Sequence, residues 1–348
     1  MLCSYLEIFL GVKSRWYVDT TNRQIIISRC DRAKSSINID FLFVAIVSGF
    51  TVNIPLSYLE KIRGIYPNIS IDHLDFNQDG MVNDVVIVNH ELVCRFAKDD
   101  WGKQVLSHEA KVLEVVQRYV ELRVPYFEHL EEGFVSYRFI KGEPLSRNTL
   151  LKLSEASQAR IISQLARFHQ QLHSIPNEVL VNAGMSSSGA ERSREDWLQL
   201  YEQVQETLFP HLWRHQQTWI HELFAPIITG ELDLTYRPVL IDGDKAVYHI
   251  LFDPISESIS GMIDFGTAGL GDPACDIAVQ LGNYGESIVR RMESDYPMLP
   301  SVIDRARFWV GTLELQWALA SKKFNDISLS LAHIGLARDV QLVGTRLN

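Results

Sequence analysis

The sequence has few cysteines and no excess of positive charge. Four cysteines in 348 residues show no CxxC spacing, which excludes the common zinc-binding patterns and provides no disulfide framework. Such cysteine usage fits a reducing compartment, so we expect a cytoplasmic protein. The formal net charge of −10 excludes a strongly basic nucleic-acid-binding surface. The same charge is compatible with a cationic substrate and with an ordinary acidic surface.

Long apolar runs are also missing. The most apolar block, residues 41–52, is interrupted by Ser48 and Gly49 and is shorter than the roughly 20 residues that span a bilayer. It begins too far from the start, and after too many charges, for a signal peptide. Residues 1–53 are therefore predicted to be an N-terminal extension: a poorly ordered segment, a packed accessory segment, or the product of a wrongly chosen start codon.

The remaining length is sufficient for two lobes. Residues 54–140 contain a short helix from Pro55, a hairpin around the turn Asn89–His90, a helix over 103–119 and a strand from Phe134. This order predicts a small lobe with a sheet and a helix. Residues 141–348 are mainly helical in pattern, as the apolar spacing over 161–172 shows. Short strands interrupt the helices between 239 and 263.

Polar residues at the ends of these short strands form a candidate catalytic site. Asp244 and His249 lie on one loop that enters a strand, and Asp264 ends the next strand. A hairpin can bring all three together. Phosphoryl transfer to a hydroxyl needs a carboxylate that accepts the proton and ligands that hold Mg²⁺. Because Mg²⁺ keeps several waters, His249 and Asp264 would suffice as its protein ligands.

The pattern D-x4-H-I-L-F-D, followed by I-D-F-G and G-D-P-A-x-D, resembles the aminoglycoside phosphotransferase family. That family belongs to a larger group with choline kinases and macrolide kinases, and the resemblance covers roughly residues 55–340. His249 replaces the more common asparagine, which is similar to the branch that phosphorylates the 2″-hydroxyl of aminoglycosides. The resemblance implies an α+β, bilobal protein-kinase-like fold with a small N-terminal lobe of sheet and helix and a larger, mainly helical C-terminal lobe.

The matching positions in the C-terminal lobe imply specific roles. Asp244 is implied to be the catalytic carboxylate. His249 and Asp264 are implied to hold magnesium. Asp272 and Asp276 resemble structural carboxylates that brace the catalytic loop from below. Taken alone, an aspartate beside a glycine is often only a turn residue, so the weight rests on the order and spacing of all the matching elements.

The N-terminal lobe is implied to bind ATP or GTP as the co-substrate. Asn83 starts a stretch that looks like the nucleotide-covering hairpin of the family. Arg95 resembles the basic strand residue that contacts the α- and β-phosphates, and Glu109 resembles its partner. The hinge residues whose backbone is implied to bind the nucleobase are Tyr137, Phe139 and Ile140.

The sequence departs from the family pattern next to the catalytic position. The family usually has His-Gly-Asp, where this chain has Asp242-Gly243-Asp244. Two carboxylates at i and i+2 of an extended segment can lie close, which would raise the pKa of one of them and weaken Asp244 as a base. Alternatively, Asp242 points at a backbone donor and changes nothing. Lys245 could screen Asp244 or meet the γ-phosphate. The nucleotide loop contains a single glycine, Gly80.

The function expected from these observations is transfer of the γ-phosphate of ATP or GTP to a hydroxyl of an aminoglycoside or similar polycation, by a phosphotransferase with an alcohol acceptor. We expect a monomer or weak dimer without a nucleic-acid or membrane partner. Two alternatives remain: a housekeeping kinase for choline, a sugar or a macrolide, and a catalytically weakened nucleotide-binding module. The side chains considered for binding the substrate's ammonium groups are Asp196, Glu202, Glu206 and Glu286.

Overall fold

The computed structural model describes residues 42–47, 50–188, 192–325 and 339–346. Its first elements are two antiparallel strands, β1 (Leu42–Val47) and β2 (Phe50–Pro55). The interrupted apolar block of the sequence therefore supplies a strand pair. Most of the predicted extension at 1–53 lies outside the described residues. The extension and the lobe boundary at 140 stay predictions.

The N-terminal lobe is built on a five-stranded antiparallel sheet. Its strands are β3 (Leu74–Asn77), β4 (Asn83–Val88), β5 (Leu92–Ala97), β6 (Phe127–Glu131) and β7 (Phe134–Arg138). Their order across the sheet is β3-β4-β5-β7-β6. Helix α1 (Leu56–Ile65) covers one face and buries Leu59 and Ile62 against Val86 and Val88.

Helix α2 (Asp100–Val116) connects this sheet to the site. Asp99 caps its N-terminus by accepting a hydrogen bond of 2.8 Å from the Gly102 N–H. Gly102 allows close packing, because a Cβ there would lie 2.7 Å from the Val82 carbonyl oxygen. The buried face of the helix includes Leu106 and Leu113 and also the carboxylate of Glu109. The predicted hairpin and helix of the small lobe are confirmed.

The C-terminal lobe is mainly helical. Its helices are α3 (Arg147–Lys152), α4 (Glu155–His173), α5 (Asn177–Asn182), α6 (Arg194–Thr207), α7 (Arg214–Thr229), α8 (Pro273–Tyr284), α9 (Glu286–Val289) and α10 (Leu299–Phe324). Phe168, Trp197 and Phe308 are fully buried in its core. In the part of the chain that the structure describes, no helix combines the length and apolarity needed to cross a membrane.

Short strands between α7 and α8 carry the polar loop. They are β9 (Val239–Ile241), β10 (Ile250–Asp253), β11 (Ser258–Met262) and β12 (Gly269–Gly271); β10 lies between β11 and β8 (Glu143–Pro144), and β9 pairs with β12. In the register of the hairpin, Ile250 lies opposite Met262. The Ile263 N–H donates to the His249 carbonyl at 3.0 Å. The segments before β10 and after β11 are therefore adjacent.

Candidate active site

The β10–β11 hairpin places the three predicted residues side by side. His249 ends a short 3₁₀ turn (Val247–His249) immediately before β10, and Asp264 follows β11. His249 Nε2 lies 3.4 Å from Asp264 Oδ2. The other ring nitrogen, Nδ1, donates a hydrogen bond of 2.8 Å to the backbone carbonyl of Asp244. The hairpin expected from the sequence thus joins all three residues.

The His249–Asp264 contact has the chemistry of a cation site. A carbonyl oxygen only accepts hydrogen bonds, so His249 carries its proton on Nδ1 and presents the Nε2 lone pair to Asp264. Burial lowers the pKa of His249, which keeps the ring neutral. Burial would raise the pKa of Asp264, but the positive charge of Arg95 brings it below its usual value. A lone pair and a carboxylate that face each other without a proton between them fit a bound metal ion.

Asp264 is held in an unusual backbone conformation. Its φ is +64°, in the left-handed region that residues other than glycine rarely adopt. The ammonium group of Lys245 donates to the carbonyls of Ile263 and Asp264 at 2.6 and 2.8 Å. The Gly266 N–H approaches Asp264 Oδ1 at 3.4 Å. These contacts maintain a strained conformation that directs the carboxylate towards His249.

Lys245 is fully buried and paired with Asp242. Its ammonium nitrogen lies 2.9 Å from Asp242 Oδ2, and both side chains have 0% exposure. The same nitrogen lies 3.9 Å from the centroid of the Phe265 ring. Two backbone carbonyls accept hydrogen bonds from the ammonium group, and the carboxylate of Asp242 balances its charge. Lys245 therefore does not point towards a γ-phosphate, contrary to one of the alternatives drawn from the sequence.

Asp242 takes the inward position below the catalytic loop. Its Oδ1 accepts the N–H of Asp244 at 3.2 Å. This contact is the backbone donor considered as an alternative from the sequence. Burial raises the pKa of Asp242 to about 6 against the opposing charge of Lys245. The departure from the usual His-Gly-Asp pattern is thus accompanied by a buried partner of opposite charge.

Asp244 has the properties of a proton acceptor that works near neutral pH. Burial raises the pKa of its carboxyl to about 7, and the negative charges of Asp242 and Asp264 act in the same direction. Lys245 opposes this shift. A catalytic base is most effective when its pKa is close to the pH at which it works.

Asp276 holds the loop from below. It accepts the N–H groups of Asp242 and Gly243 at 3.0 and 2.7 Å and lies 3.0 Å from His173 Nε2. Burial would raise its pKa, but the imidazoles of His169 and His173, at 3.7 and 3.0 Å from its Oδ2, hold it far below the usual range. His173 is also bonded to Tyr296 through Nδ1 at 2.9 Å. The expectation that His173 is a buried hydrogen-bonding residue agrees with this geometry.

Asp272 stabilises a different part of the lobe from Asp276. Its Oδ1 accepts the Ala274 N–H at 2.9 Å and so caps helix α8. Both of its oxygens receive the guanidinium of Arg305, at 2.7 and 3.0 Å. A bidentate contact between a guanidinium and a carboxylate fixes the relative orientation of the two groups and also pairs their charges. Asp272 thereby ties the start of α8 to α10, while Asp276 in the next turn contacts the catalytic loop.

Arg95 and Glu109 join the N-terminal lobe to the site. Arg95 Nη1 lies 2.9 and 2.8 Å from the two oxygens of Glu109, and both residues are buried. Glu109 Oε1 also accepts the Phe265 N–H at 3.1 Å. Burial alone would lower the pKa of Arg95, but the charge of Glu109 raises it. Glu109 therefore couples the Arg95 strand to the residue that follows Asp264.

The hinge offers fewer free backbone groups than the sequence suggested. Tyr137 pairs with Val93 on one side and Phe127 on the other, so it lies inside the sheet. The Phe139 N–H donates to the Glu91 carbonyl at 2.9 Å. Among the described residues, no hydrogen bond occupies the Ile140 N–H. The Phe139 N–H is thus already used within the lobe, whereas in the described part of the chain the Ile140 N–H is not.

Asn83 lies at the start of β4, next to the loop that contains Gly80. The side chain is 5% exposed, and its Oδ1 has no hydrogen-bond partner among the residues the structure describes. Lys98 fastens the adjacent loop by donating to the carbonyls of Gln78 and Gly80, at 2.6 and 2.5 Å. A buried acceptor without a partner is unusual and is consistent with a ligand group nearby.

The acidic residues considered for substrate binding differ in their surroundings. Glu286 is 1% exposed and is held by Arg307 and Arg290. It is therefore not available to an ammonium group, and its selection from the sequence is wrong. Asp196 is half-buried and belongs to the capping box of α6, where it accepts the Ser193 N–H at 2.7 Å. The exposed candidates on α6 outside that capping box are Glu202 and Glu206.

Sequence reasoning did not identify two further contacts of the loop. His108 on α2 donates from Nε2 to the Ala268 carbonyl at 2.6 Å, across 160 residues of sequence. The Thr267 hydroxyl donates to the Asp242 carbonyl at 2.9 Å. Both contacts fix the segment after Asp264. Neither has a local sequence signal, because each partner lies on a distant segment.

The comparisons with known proteins agree with this geometry. The model for a phosphotransferase enzyme family matches residues 73–308. Viomycin phosphotransferase from Streptomyces vinaceus is 25% identical over 261 residues, which are 71% of this chain and 87% of that protein.

Solved structures give the same result. The GDP complex of wild-type aminoglycoside 2′-phosphotransferase-IIIa is 26% identical, with a TM-score of 0.72, and the match covers 80% of this chain and 95% of that one. The GDP and kanamycin complex of APH(2″)-IIIa is also 26% identical, with a TM-score of 0.70 and coverage of 80% and 96%. Macrolide 2′-phosphotransferase type I shares the fold at 18% identity and a TM-score of 0.62, over 87% and 100% of the two chains.

The bilobal kinase-like fold and the family resemblance drawn from the sequence are both confirmed. The family match covers more than half of the chain and contains every residue assigned to the site. This chain therefore belongs to the phosphotransferase enzyme family and is an enzyme that transfers a phosphoryl group to an alcohol acceptor.

Proposed function

We propose that this enzyme transfers the γ-phosphate of ATP or GTP to a hydroxyl of an aminoglycoside or a similar polycationic antibiotic. The observation that carries the proposal is the convergence of Asp244, His249 and Asp264 at one end of the β10–β11 hairpin. The named relatives, among them the viomycin enzyme and the kanamycin complex, support the substrate class.

The nucleotide is proposed to bind between the lobes. Arg95 is charged and buried, and Glu109 engages it through Nη1 alone, so the remaining guanidinium donors are not used by this pair. They would contact the α- and β-phosphates. The Ile140 N–H would bind the base, and Asn83 Oδ1 would accept a hydrogen bond from the ligand. The GDP complexes of the similar structures support a nucleotide at this position.

His249 and Asp264 are the residues that would hold Mg²⁺. Two observations support a metal ion here. The Nε2 lone pair of His249 faces Oδ2 of Asp264 at 3.4 Å. The proton of His249 is on Nδ1, which donates to the Asp244 carbonyl at 2.8 Å. When bound, the ion neutralises charge on the phosphates. Lys245 maintains the Asp264 backbone from below, so the direction of this carboxylate is fixed before any ligand arrives.

Asp244 would hydrogen-bond the substrate hydroxyl and accept its proton as the oxygen attacks the γ-phosphate. A pKa of about 7 leaves a substantial fraction of the carboxyl ionised at neutral pH, while the group still binds a proton readily. Positioning and electrostatics provide most of the acceleration in phosphoryl transfer. Lys245 opposes the effect of the Asp242 charge on Asp244, which supports an active enzyme over a weakened module.

A polycationic substrate would be attracted by the acidic chain, whose net charge is −10. Glu202 and Glu206 on the exposed face of α6 are the proposed contacts for its ammonium groups. Glu286 is not among them, because its carboxylate neutralises two buried or half-buried arginines.

The test is a coupled turnover assay with Mg²⁺ and either ATP or GTP. The acceptor panel contains aminoglycosides, viomycin, a macrolide, choline and sugars. Asp244→Asn should reduce kcat by about 10²–10⁴-fold and leave nucleotide binding intact. Asp100→Asn is the matched control, since that carboxylate is 89% exposed and should not affect turnover.

Turnover of a cationic antibiotic that depends on Asp244 supports the proposal. If only choline or a sugar is phosphorylated, the proposed substrate class is wrong, but the proposed reaction, phosphoryl transfer to a hydroxyl, stands. Full activity in Asp244→Asn would exclude this carboxylate as the base and contradict the proposed mechanism.

A further inference from the structure

Two histidines and an aspartate converge at the outer edge of the N-terminal sheet. His73 directly precedes β3, Asp75 lies within it, and His90 is the second residue of the β4–β5 turn. His73 Nε2 is 3.1 Å from Asp75 Oδ1, and His90 Nε2 is 2.8 Å from Asp75 Oδ2. The ligating atoms of the three side chains lie within 4.8 Å of one another.

We propose that His73, Asp75 and His90 bind one Zn²⁺ or a similar divalent transition-metal ion. Two imidazoles and a carboxylate form a donor set that zinc accepts, with water as the fourth ligand. Zinc–ligand distances of about 2.0–2.1 Å in a tetrahedron place neighbouring ligand atoms about 3.3 Å apart. The two histidine–carboxylate distances found here, 2.8 and 3.1 Å to the two oxygens of Asp75, are within about half an ångström of that value, and all the ligand atoms lie within 4.8 Å of one another.

Asn89 orients the ligands. Its side-chain Oδ1 accepts the N–H groups of Asp72 and His73 at 3.0 and 2.8 Å, and its Nδ2 donates to the Ser70 carbonyl at 2.7 Å. Its own N–H donates to the His73 carbonyl at 2.9 Å. The approach to β3 is thus fastened to the turn that carries His90. Contacts of this kind fix the ligands of metal sites.

His90 has a backbone conformation that glycine adopts more readily. Asn89 and His90 lie in the three-residue turn between Val88 and Leu92 and have φ values of +54° and +52°. Glycine adopts positive φ without strain, whereas other residues adopt it less often. Histidine there keeps the strain and brings an imidazole onto Asp75. Strain retained at a cluster of polar side chains suggests a function for the cluster.

If the three side chains have only a structural role, they contribute no more than the two hydrogen bonds between the histidines and Asp75. The side chains of His73, Asp75 and His90 are 39%, 47% and 57% exposed. Polar pairs with this exposure contribute little stability, because water competes for each partner. A bound ion would give the strained turn a larger compensation, since its binding energy becomes available to the folded state.

The site lies next to the hinge. The ring of His90 is 5.9 Å from that of Phe139, centroid to centroid, and the Phe139 N–H donates to the Glu91 carbonyl. An ion at this position would connect β3, the β4–β5 turn and the start of the hinge. The proposal does not depend on the identity of the substrate.

The experiment is calorimetric titration of the untagged, chelator-treated full chain with Zn²⁺, together with the visible spectrum of the Co²⁺ form. It is performed in a His249→Gln background, because the His249–Asp264 pair can also take zinc. We expect one zinc ion per chain at micromolar protein and a tetrahedral Co²⁺ spectrum. Asp75→Asn and His90→Gln should each weaken zinc binding by about tenfold or more. The control His215→Gln, which removes an exposed histidine on α7, should bind like the parent.

Equal zinc affinity in the parent and in Asp75→Asn would overturn the proposal, as would failure of the parent to bind zinc at micromolar concentrations. His90→Gly provides a second arm that does not depend on the metal. It should raise the melting temperature of the metal-free protein by relieving the turn, and it should abolish the Co²⁺ spectrum. A lower melting temperature in this variant would show that the imidazole stabilises the turn by itself, and would contradict the inference.

Discussion

Two buried ion pairs lie beside the site, and they differ in what surrounds the cation. In the Arg95–Glu109 pair, one guanidinium nitrogen contacts both carboxylate oxygens, at 2.9 and 2.8 Å. In the Asp242–Lys245 pair, the ammonium group also donates to two backbone carbonyls. Arginine has five donors, and Glu109 contacts a single nitrogen of Arg95, so this upper pair leaves guanidinium donors unused. In the lower pair, Asp242 and Lys245, two carbonyls and one carboxylate surround the ammonium group. Two cations that are both buried therefore differ in the donors that their surroundings leave unused.

The largest effect is expected from breaking the lower pair. Lys245→Met leaves Asp242 without a counter-charge and two carbonyls without a donor. Removal of one partner from a buried pair costs about 3–5 kcal/mol, and we expect that loss in the free energy of unfolding measured by urea denaturation. The control Lys152→Met, at an exposed lysine, should change this free energy by no more than about 0.5 kcal/mol. A similar small change for Lys245→Met would mean that the pair does not stabilise the loop.

A smaller effect should appear when the two positions are changed together. Asp242→His introduces the residue usual in the family, but it places an imidazole against the buried ammonium group of Lys245. We expect Asp242→His alone to lower both turnover and stability, and the double variant with Lys245→Met to lose less than the sum of the single losses. The interaction free energy from the four denaturation curves should be about 0.5–3 kcal/mol. Strict additivity would show that the two residues act independently.

A further effect concerns the pH dependence of stability. The pKa of Asp244 is raised to about 7 in the folded protein, from about 3.8 in the unfolded chain. The folded state therefore binds the proton more tightly, and this residue lowers stability as the pH rises from about 4 to 7. Without metal, Asp244→Asn should be more stable than the parent at pH 8, and the difference should disappear near pH 4.

Asp276 should have the opposite effect on the pH dependence of stability, because its pKa is depressed in the folded state. Asp276→Asn should destabilise the protein at pH 8, where the ionised carboxylate accepts two backbone N–H groups. The denaturation series at both pH values compares the two carboxylates directly. Destabilisation by Asp244→Asn at pH 8 would contradict the raised pKa.

Much of the site could be predicted because its signals are local. The turn Asn89–His90 and the alternating residues around it define the β4–β5 hairpin. The spacing of Asp244, His249 and Asp264 fits two short strands that meet. The sequence pattern predicts a mainly helical lobe in this region without the bounds of α8. Asp272 followed by Pro273 is a regular start signal for that helix, in which the aspartate caps and the proline occupies the first turn.

The remaining features depend on contacts between distant segments. Lys245 is buried because the carbonyls of Ile263 and Asp264, 18 and 19 residues away, surround its ammonium group. Glu286 looks like a free acid in the sequence, but Arg307 on α10 neutralises it. The presence of a charged residue in the sequence indicates neither whether it is buried nor which residue it pairs with. Composition and spacing therefore could not distinguish Lys245 and Glu286 from exposed charged residues.

We propose that the upper pair contacts the nucleotide through Arg95, whereas the lower pair holds the loop. The direct test is the nucleotide dissociation constant, measured without Mg²⁺ by calorimetry, for two neutral double variants: Arg95→Met with Glu109→Leu, and Asp242→Asn with Lys245→Met. We expect the first variant to stay folded and to lose about tenfold or more in nucleotide affinity, equal to about 1.4 kcal/mol. The second should keep its affinity within about threefold, less than 1 kcal/mol. Equal losses in both variants, or a loss confined to the second, would contradict this division of roles.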